Sequence, residues 1–142
     1  MTSFLRDTNI QKAIEPHELY SQAIQADRLV FISGQSTDTM TDPSNTNKAS
    51  IEAQTTTVFE NLKAMSEAAG GSLKNMVKLN IYLTDLSHLD TANQAIEHYF
   101  SPPYPCRTTL VVKALENEAD ISADGIVILP NRFSLEELAV IT

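Results

Sequence analysis

Two polar residues stand out in apolar stretches of this chain. The first is Arg107, in Pro103-Tyr-Pro-Cys-Arg-Thr-Thr-Leu-Val-Val112. Strand alternation puts Arg107, Thr109 and Val111 on one face and Thr108, Leu110 and Val112 on the other. A guanidinium there has two readings. It pairs structurally with a neighbouring carboxylate, or it holds a substrate carboxylate through two parallel hydrogen bonds, for which its planar fork is suited. The second is Asp124, in Ile121-Ser-Ala-Asp-Gly-Ile-Val-Ile-Leu129. A carboxylate in such a strand is costly unless it is paired, hydrated or facing water. Asp124 therefore reads as a solvated strand-end residue, as a group that orients an attacking water, or as the ion-pair partner of Arg107.

Other chemistries lack their residues. There is no G-x-G-x-x-G, phosphate loop or G-x-S-x-G elbow. His17, His88 and His98 are not at zinc-ligand spacing, and a single cysteine forms no thiolate cage, so no metal is expected. His88 and His98 read as solvated helix residues, and Cys106 as an inert buried thiol.

The elements that must position Arg107 and Asp124 follow from the hydrophobic pattern. Residues 1–17 read as a loose lead-in. Tyr20–Ile24 and Leu29–Ser33 read as a short hairpin, and residues 36–49 as a long polar loop. Residues 50–69 carry Ile51, Val58, Leu62, Met65 and Ala69 at helical spacing, with Ser50 to cap the start and Gly70-Gly71 to end it. Residues 76–83 alternate as a strand with one buried face. Residues 87–100 form a second helix, which Pro102-Pro103 forbids from continuing. Arg107–Lys113 and Ile121–Leu129 are two more strands. Ser134-Leu-Glu-Glu137 has the pattern of a capping box.

The order β-β-α-β-α-β-β predicts an α+β sheet with both helices on one face. The opposite, half-apolar face is left for a second molecule to cover.

The chain has 142 residues, 42% of them hydrophobic, and a net charge of −8. That length suits one domain with a real core. The acidic balance and the scattered basic residues argue against nucleic acid. No apolar run approaches a membrane span and no signal-peptide layout opens the chain, so a soluble, cytoplasmic protein is expected.

Several blocks in this order resemble the RidA/YjgF family of enamine/imine deaminases. They are Leu19-Tyr20-Ser21-Gln22-Ala23, Phe31-Ile32-Ser33-Gly34-Gln35, Gln54 to Ala69 with Asn61-Leu62, Val77 to Leu86, and Tyr104-Pro-Cys-Arg-Thr-Thr109. The resemblance covers a core of about 17–130 within a single domain spanning 1–142, with 131–142 as an extension.

It implies a chorismate-mutase-like fold, a six-stranded mixed sheet with two helices on one face. It also implies a homotrimer whose sheets turn inward as a barrel, with sites in clefts between subunits. The implied activity is cofactor-free hydrolysis of 2-imino or 2-enamino acids, such as 2-aminoacrylate, to 2-keto acids and ammonia. Arg107 would hold the substrate carboxylate. Tyr20, Ser33 and Asn93 would line the pocket, and the Thr109 backbone would help hold the attacking water. Asp124 falls where many members have a water-positioning glutamate.

The chain departs from the family pattern at three places. Asp124 reaches roughly 1.5 Å less far than glutamate. Leu19 and Glu15-Pro-His-Glu18 replace the usual Gly-Pro-Tyr approach. The extension beyond Pro130 is not part of the common core. The same pattern also fits a trimer that binds small keto acids without turnover.

Overall fold

The structure, a computed structural model, describes residues 5–7, 19–37 and 48–130. The strands are β1 (Leu5–Asp7), β2 (Ala23–Ala26), β3 (Leu29–Gln35), β4 (Met76–Leu83), β5 (Cys106–Val111) and β6 (Ile121–Ile128), and the helices are α1 (Ile51–Ala68) and α2 (Leu89–Tyr99). The sheet runs β1-β2-β3-β6-β4-β5. β4 and β5 are parallel and the other neighbours antiparallel.

The residue pattern located β3 to β6 and both helices, but the first hairpin strand is Ala23–Ala26 rather than Tyr20–Ile24, because the turn is confined to Asp27-Arg28 and Gln25 and Ala26 pair with Val30 and Leu29. β1 lies inside the stretch read as a loose lead-in and corrects that reading. Three residues are too few to show a period, and β1 exists only through its pairing with β2, Leu5 opposite Ala26. Residues 8–18, most of the 36–49 loop, and the 134–137 capping box lie outside the described residues.

Local rules set the ends of the elements. The Ala53 amide donates to Ser50 Oγ at 3.1 Å, capping α1. Gly70 takes a left-handed φ of 104°, and the Gly71 amide returns to the Ser66 carbonyl at 2.9 Å, closing it. Asp27 turns the β2–β3 hairpin with φ 56°, a conformation aspartate tolerates better than most residues.

Both helices lie on one face because both crossovers run the same way along the sheet. β3 leads through α1 over β6 to β4, and β4 leads through α2 to β5, and such connections are right-handed. The core forms beneath them. Phe59, Leu62 and Met65 of α1 are fully buried with Leu79, Ile81 and Leu83 of β4 and Ile121 and Val127 of β6. Phe59 stacks on Tyr99 at 5.4 Å and meets Phe100 edge-on at 6.3 Å.

A polar knot ties the start of β6 to α1. Asp120 accepts from Lys48 at 3.0 Å, from buried Gln54 at 3.1 Å and from Thr84 at 3.1 Å, and its own amide donates to Gln54 Oε1 at 2.9 Å. Burial pushes the Asp120 carboxyl up, but the donors Lys48, Gln54 and Thr84 outweigh it and hold the group below the usual carboxylate range. Its contribution is therefore complete above the unfolded value near ~4 and is lost as pH falls through the lower folded value. Asp120→Asn is expected to cost about 1–3 kcal/mol at neutral pH. In denaturant titrations the gap from wild type closes as pH drops below ~4.

Candidate functional site

Strand register divides the sequence-predicted residues between the two faces. Arg107 on β5 and Gly125 on β6 both flank Leu79, which is buried under the helices. Thr108 and Asp124 both flank Asn80, one row along, on the uncovered face. Arg107 and Thr109 therefore lie on the helix side, and Asp124 on the other. The ion pair between Arg107 and Asp124 that the sequence left open does not form within the chain, because the sheet separates them.

Arg107 borders a recess of about 490 Å³ with Leu79, Asn93, Ile96, Glu97, Tyr104 and Pro105. Asn93, Ile96 and Glu97 are three and four residues apart on α2, so one helical face supplies them. The Arg107 Nε–H donates to Thr109 Oγ1 at 2.8 Å. No carboxylate pairs with Arg107 among the described residues, whose ion pair is instead Lys48–Asp120. The structural-pairing reading of Arg107 thus lacks its partner. Asn93 Oδ1 is buried in the same region with no donor among the described residues. A cation beside an unsatisfied acceptor suits a small molecule carrying both a carboxylate and an N–H group.

The uncovered face carries a second recess, of about 340 Å³, lined by Tyr20, Ser33, Gly34, Ser36, Leu115, Glu116 and Ser122. An irregularity between Ile32 and Gln35 shapes it. Ser33 Oγ donates to the Ser21 carbonyl at 2.6 Å, and buried Gln35 donates to Gln22 at 3.0 Å, fixing the β3 end against the segment before β2. At Gly34 a Cβ would stand 3.2 Å from Ser122 Oγ, so a larger residue would have to displace that side chain slightly.

Asp124 stands two residues along the same face but outside this lining. Its Oδ1 accepts from Asn80 Nδ2 at 2.8 Å, and Tyr82 shares the face with the same carboxylate. The Asp124 carboxylate, with burial, pushes the Tyr82 phenol above its ordinary value. Around these polar groups the face is apolar, with Leu29, Phe31 and Leu110 exposed and Ile126 and Ile128 half-buried.

Cys106 shares this face, and its thiol is exposed rather than buried. His98 is exposed and packs edge-on against Tyr99, while His88 is half-buried at the start of α2. A larger cavity of about 640 Å³ lies between α1 and the end of α2, lined by residues including Glu60, Lys63, His98 and Pro103, and none of the sequence-predicted site residues borders it. Beside it the Tyr99 phenol is pushed up to about 12 by burial and by Glu60.

The structure thus brings Arg107, Thr109 and Asn93 together on one side of the sheet. Tyr20 and Ser33 share a recess on the other, with Asp124 nearby. Glu97, Tyr104, Glu116 and Ser122 escaped sequence reasoning. Glu97 had a signal, lying four residues after Asn93. Glu116 and Ser122 had none, because a turn and a strand irregularity bring them in.

Among the described residues no helix is long and apolar enough to cross a membrane. Residues 10–129 match the family model described as Endoribonuclease L-PSP. A RutC family protein of Pyrococcus abyssi is 36% identical over 82% of this chain and 91% of its own. The 2-iminobutanoate/2-iminopropanoate deaminase of Dermatophagoides farinae is 32% identical over the same shares. The crystal structure of RidA from the Antarctic bacterium Psychrobacter matches with a TM-score of 0.76 and 39% identity, covering 87% of this chain and 100% of that one.

Proposed function

This chain belongs to the RidA/YjgF family, whose model is described as Endoribonuclease L-PSP, and from that premise we propose that it hydrolyses reactive 2-imino and 2-enamino acids, such as 2-aminoacrylate, to 2-keto acids and ammonia. The observation that carries the reading is the Arg107 guanidinium, held by a neutral threonine and without a carboxylate partner among the described residues, at the edge of a recess sized for a small acid. Its terminal N–H groups take the substrate carboxylate. Asn93 borders the same recess as the bound substrate.

The chemistry asks for little more than placement. An enamine tautomerises to the imine, and protonation of the imine nitrogen makes the neighbouring carbon electrophilic. A water oxygen bonds to that carbon as the C=N π pair moves to nitrogen. A proton then passes from oxygen to nitrogen, the C–N bond breaks as the oxygen lone pair forms the carbonyl, and the remaining hydroxyl proton leaves with the departing ammonia as ammonium. Asp124, steadied by Asn80, is the carboxylate proposed to hold the water, together with the Thr109 backbone. Positioning of this kind supplies large rate factors.

Arg107 and Asp124 lie on opposite faces of one sheet, so the proposed site takes Arg107 from one copy and Tyr20, Ser33 and Asp124 from another. A homotrimer with the uncovered faces turned inward meets that need and buries Phe31 and Leu29. The exposed, unpaired Cys106 suits the reducing cytoplasm proposed as its setting. RNA is left out of the proposal, because a net charge of −8 offers no footprint for phosphate.

A second reading, a keto-acid-binding trimer without turnover, is favoured by the engagement of Asp124 with Asn80. The test generates 2-imino acids in situ with an amino-acid oxidase and follows imine disappearance. Faster loss with the protein supports deamination. Keto-acid binding without faster loss supports the second reading.

A further inference from the structure

Arginine meets a carboxylate through either of two edges, Nε with one terminal nitrogen, or the two terminal nitrogens end-on. In this chain the choice is already made. The Nε–H is spent on Thr109 Oγ1 at 2.8 Å. Residues two apart on a strand point the same way, so Thr109 stands next to Arg107 on the helix side. A β-branched side chain has few χ1 options, so its hydroxyl is a stiff acceptor. β5 is the edge of the sheet, and Arg107 is exposed there. Among the described residues nothing else hydrogen-bonds its guanidinium, so without Thr109 the long side chain would sample many rotamers.

We propose that Thr109 is a positioning residue that locks the Arg107 guanidinium so that only its two terminal nitrogens face the substrate carboxylate, which docks end-on. The inference rests on the deaminase reading above. It concerns the threonine side chain, apart from the backbone contact that the family resemblance implies. It explains how an edge-strand arginine without a carboxylate neighbour is kept ready, and it adds no negative charge that would compete with the substrate.

The test uses the full-length protein and the variants Thr109→Val, Thr109→Ser and Arg107→Lys. Valine keeps the shape and the strand preference of threonine and removes the acceptor. Calorimetry with 2-oxobutanoate reads carboxylate binding, and the imine assay reads KM and kcat separately. T109V is expected to weaken 2-oxobutanoate binding and raise KM by about tenfold, with kcat and the thermal midpoint kept. T109S is expected to restore both to within about twofold. On an R107K background, where no Nε–H remains, T109V is expected to change nothing further. Wild-type binding in T109V, or an equal penalty with lysine at 107, would overturn the assignment while leaving the deaminase reading standing. Absence of any 2-oxobutanoate binding or imine turnover by wild type would overturn both.

Discussion

Arg107→Ala is expected to lower kcat/KM for small 2-imino acids by about 10²-fold or more, with the fold unchanged. The side chain sits on an exposed edge strand, so its removal empties no core space. What it removes is the cation proposed to meet the substrate carboxylate. That carboxylate is present in both substrate and transition state, so the loss falls chiefly on KM. Arg107→Lys keeps the charge without the planar fork and falls between the two. Steady-state kinetics with several in-situ imines checks the loss, and circular dichroism checks the fold. A wild-type kcat/KM in R107A would remove the anchor on which the proposed chemistry depends.

Phe31→Glu is expected to dissociate the assembly and to abolish turnover with it. Phe31 lies between Ile24 of β2 and Ile126 of β6 and is 43% exposed in the single chain. Its neighbours on that face include Leu29 and the half-buried Ile126 and Ile128. A glutamate there remains hydrated in the monomer. In the proposed barrel it would lose that water without gaining a partner, a cost of several kcal/mol at each repeated contact. Light scattering is expected to show a folded monomer, and the imine assay a loss of about 10²-fold or more because each site then lacks half its residues. An F31E protein with wild-type mass and activity would show that this face is not where copies meet.

Much of the scaffold was legible in the residues. The apolar stripe of α1, the Ser50 cap and the Gly70 stop are local signals, and each acts within a turn of where it is written. The alternation in β4 put Val77, Leu79, Ile81 and Leu83 on one face and Lys78, Asn80 and Tyr82 on the other, and the structure keeps that division except at Val77, which the irregularity between Met76 and Lys78 leaves exposed while Met76 is buried in its place. What was not legible depends on pairing. β1 has no pattern of its own. The faces of Arg107 and Asp124 follow from how β5 and β6 register against β4, and a one-residue slip would have reversed either. Sequence spacing leaves that choice open, which is why an Arg107–Asp124 ion pair was a fair expectation and did not form. The irregularities at Ile32/Gln35 and Met76/Lys78 likewise arise from contacts between distant segments. At the second of these, a Cβ on Gly125 would stand 2.8 Å from Met76 Cε.

The division of the site between two faces makes one measurement decisive. Arg107→Ala and Asp124→Asn, each expected to be strongly impaired alone, are unfolded together in equal amounts and refolded, and the mixed trimers are assayed at low substrate. If one copy supplies Arg107 and its neighbour Asp124, about one quarter of the clefts regain both residues, and activity returns in that proportion. Mixed trimers, verified by mass, that stay inactive would contradict a site shared between copies.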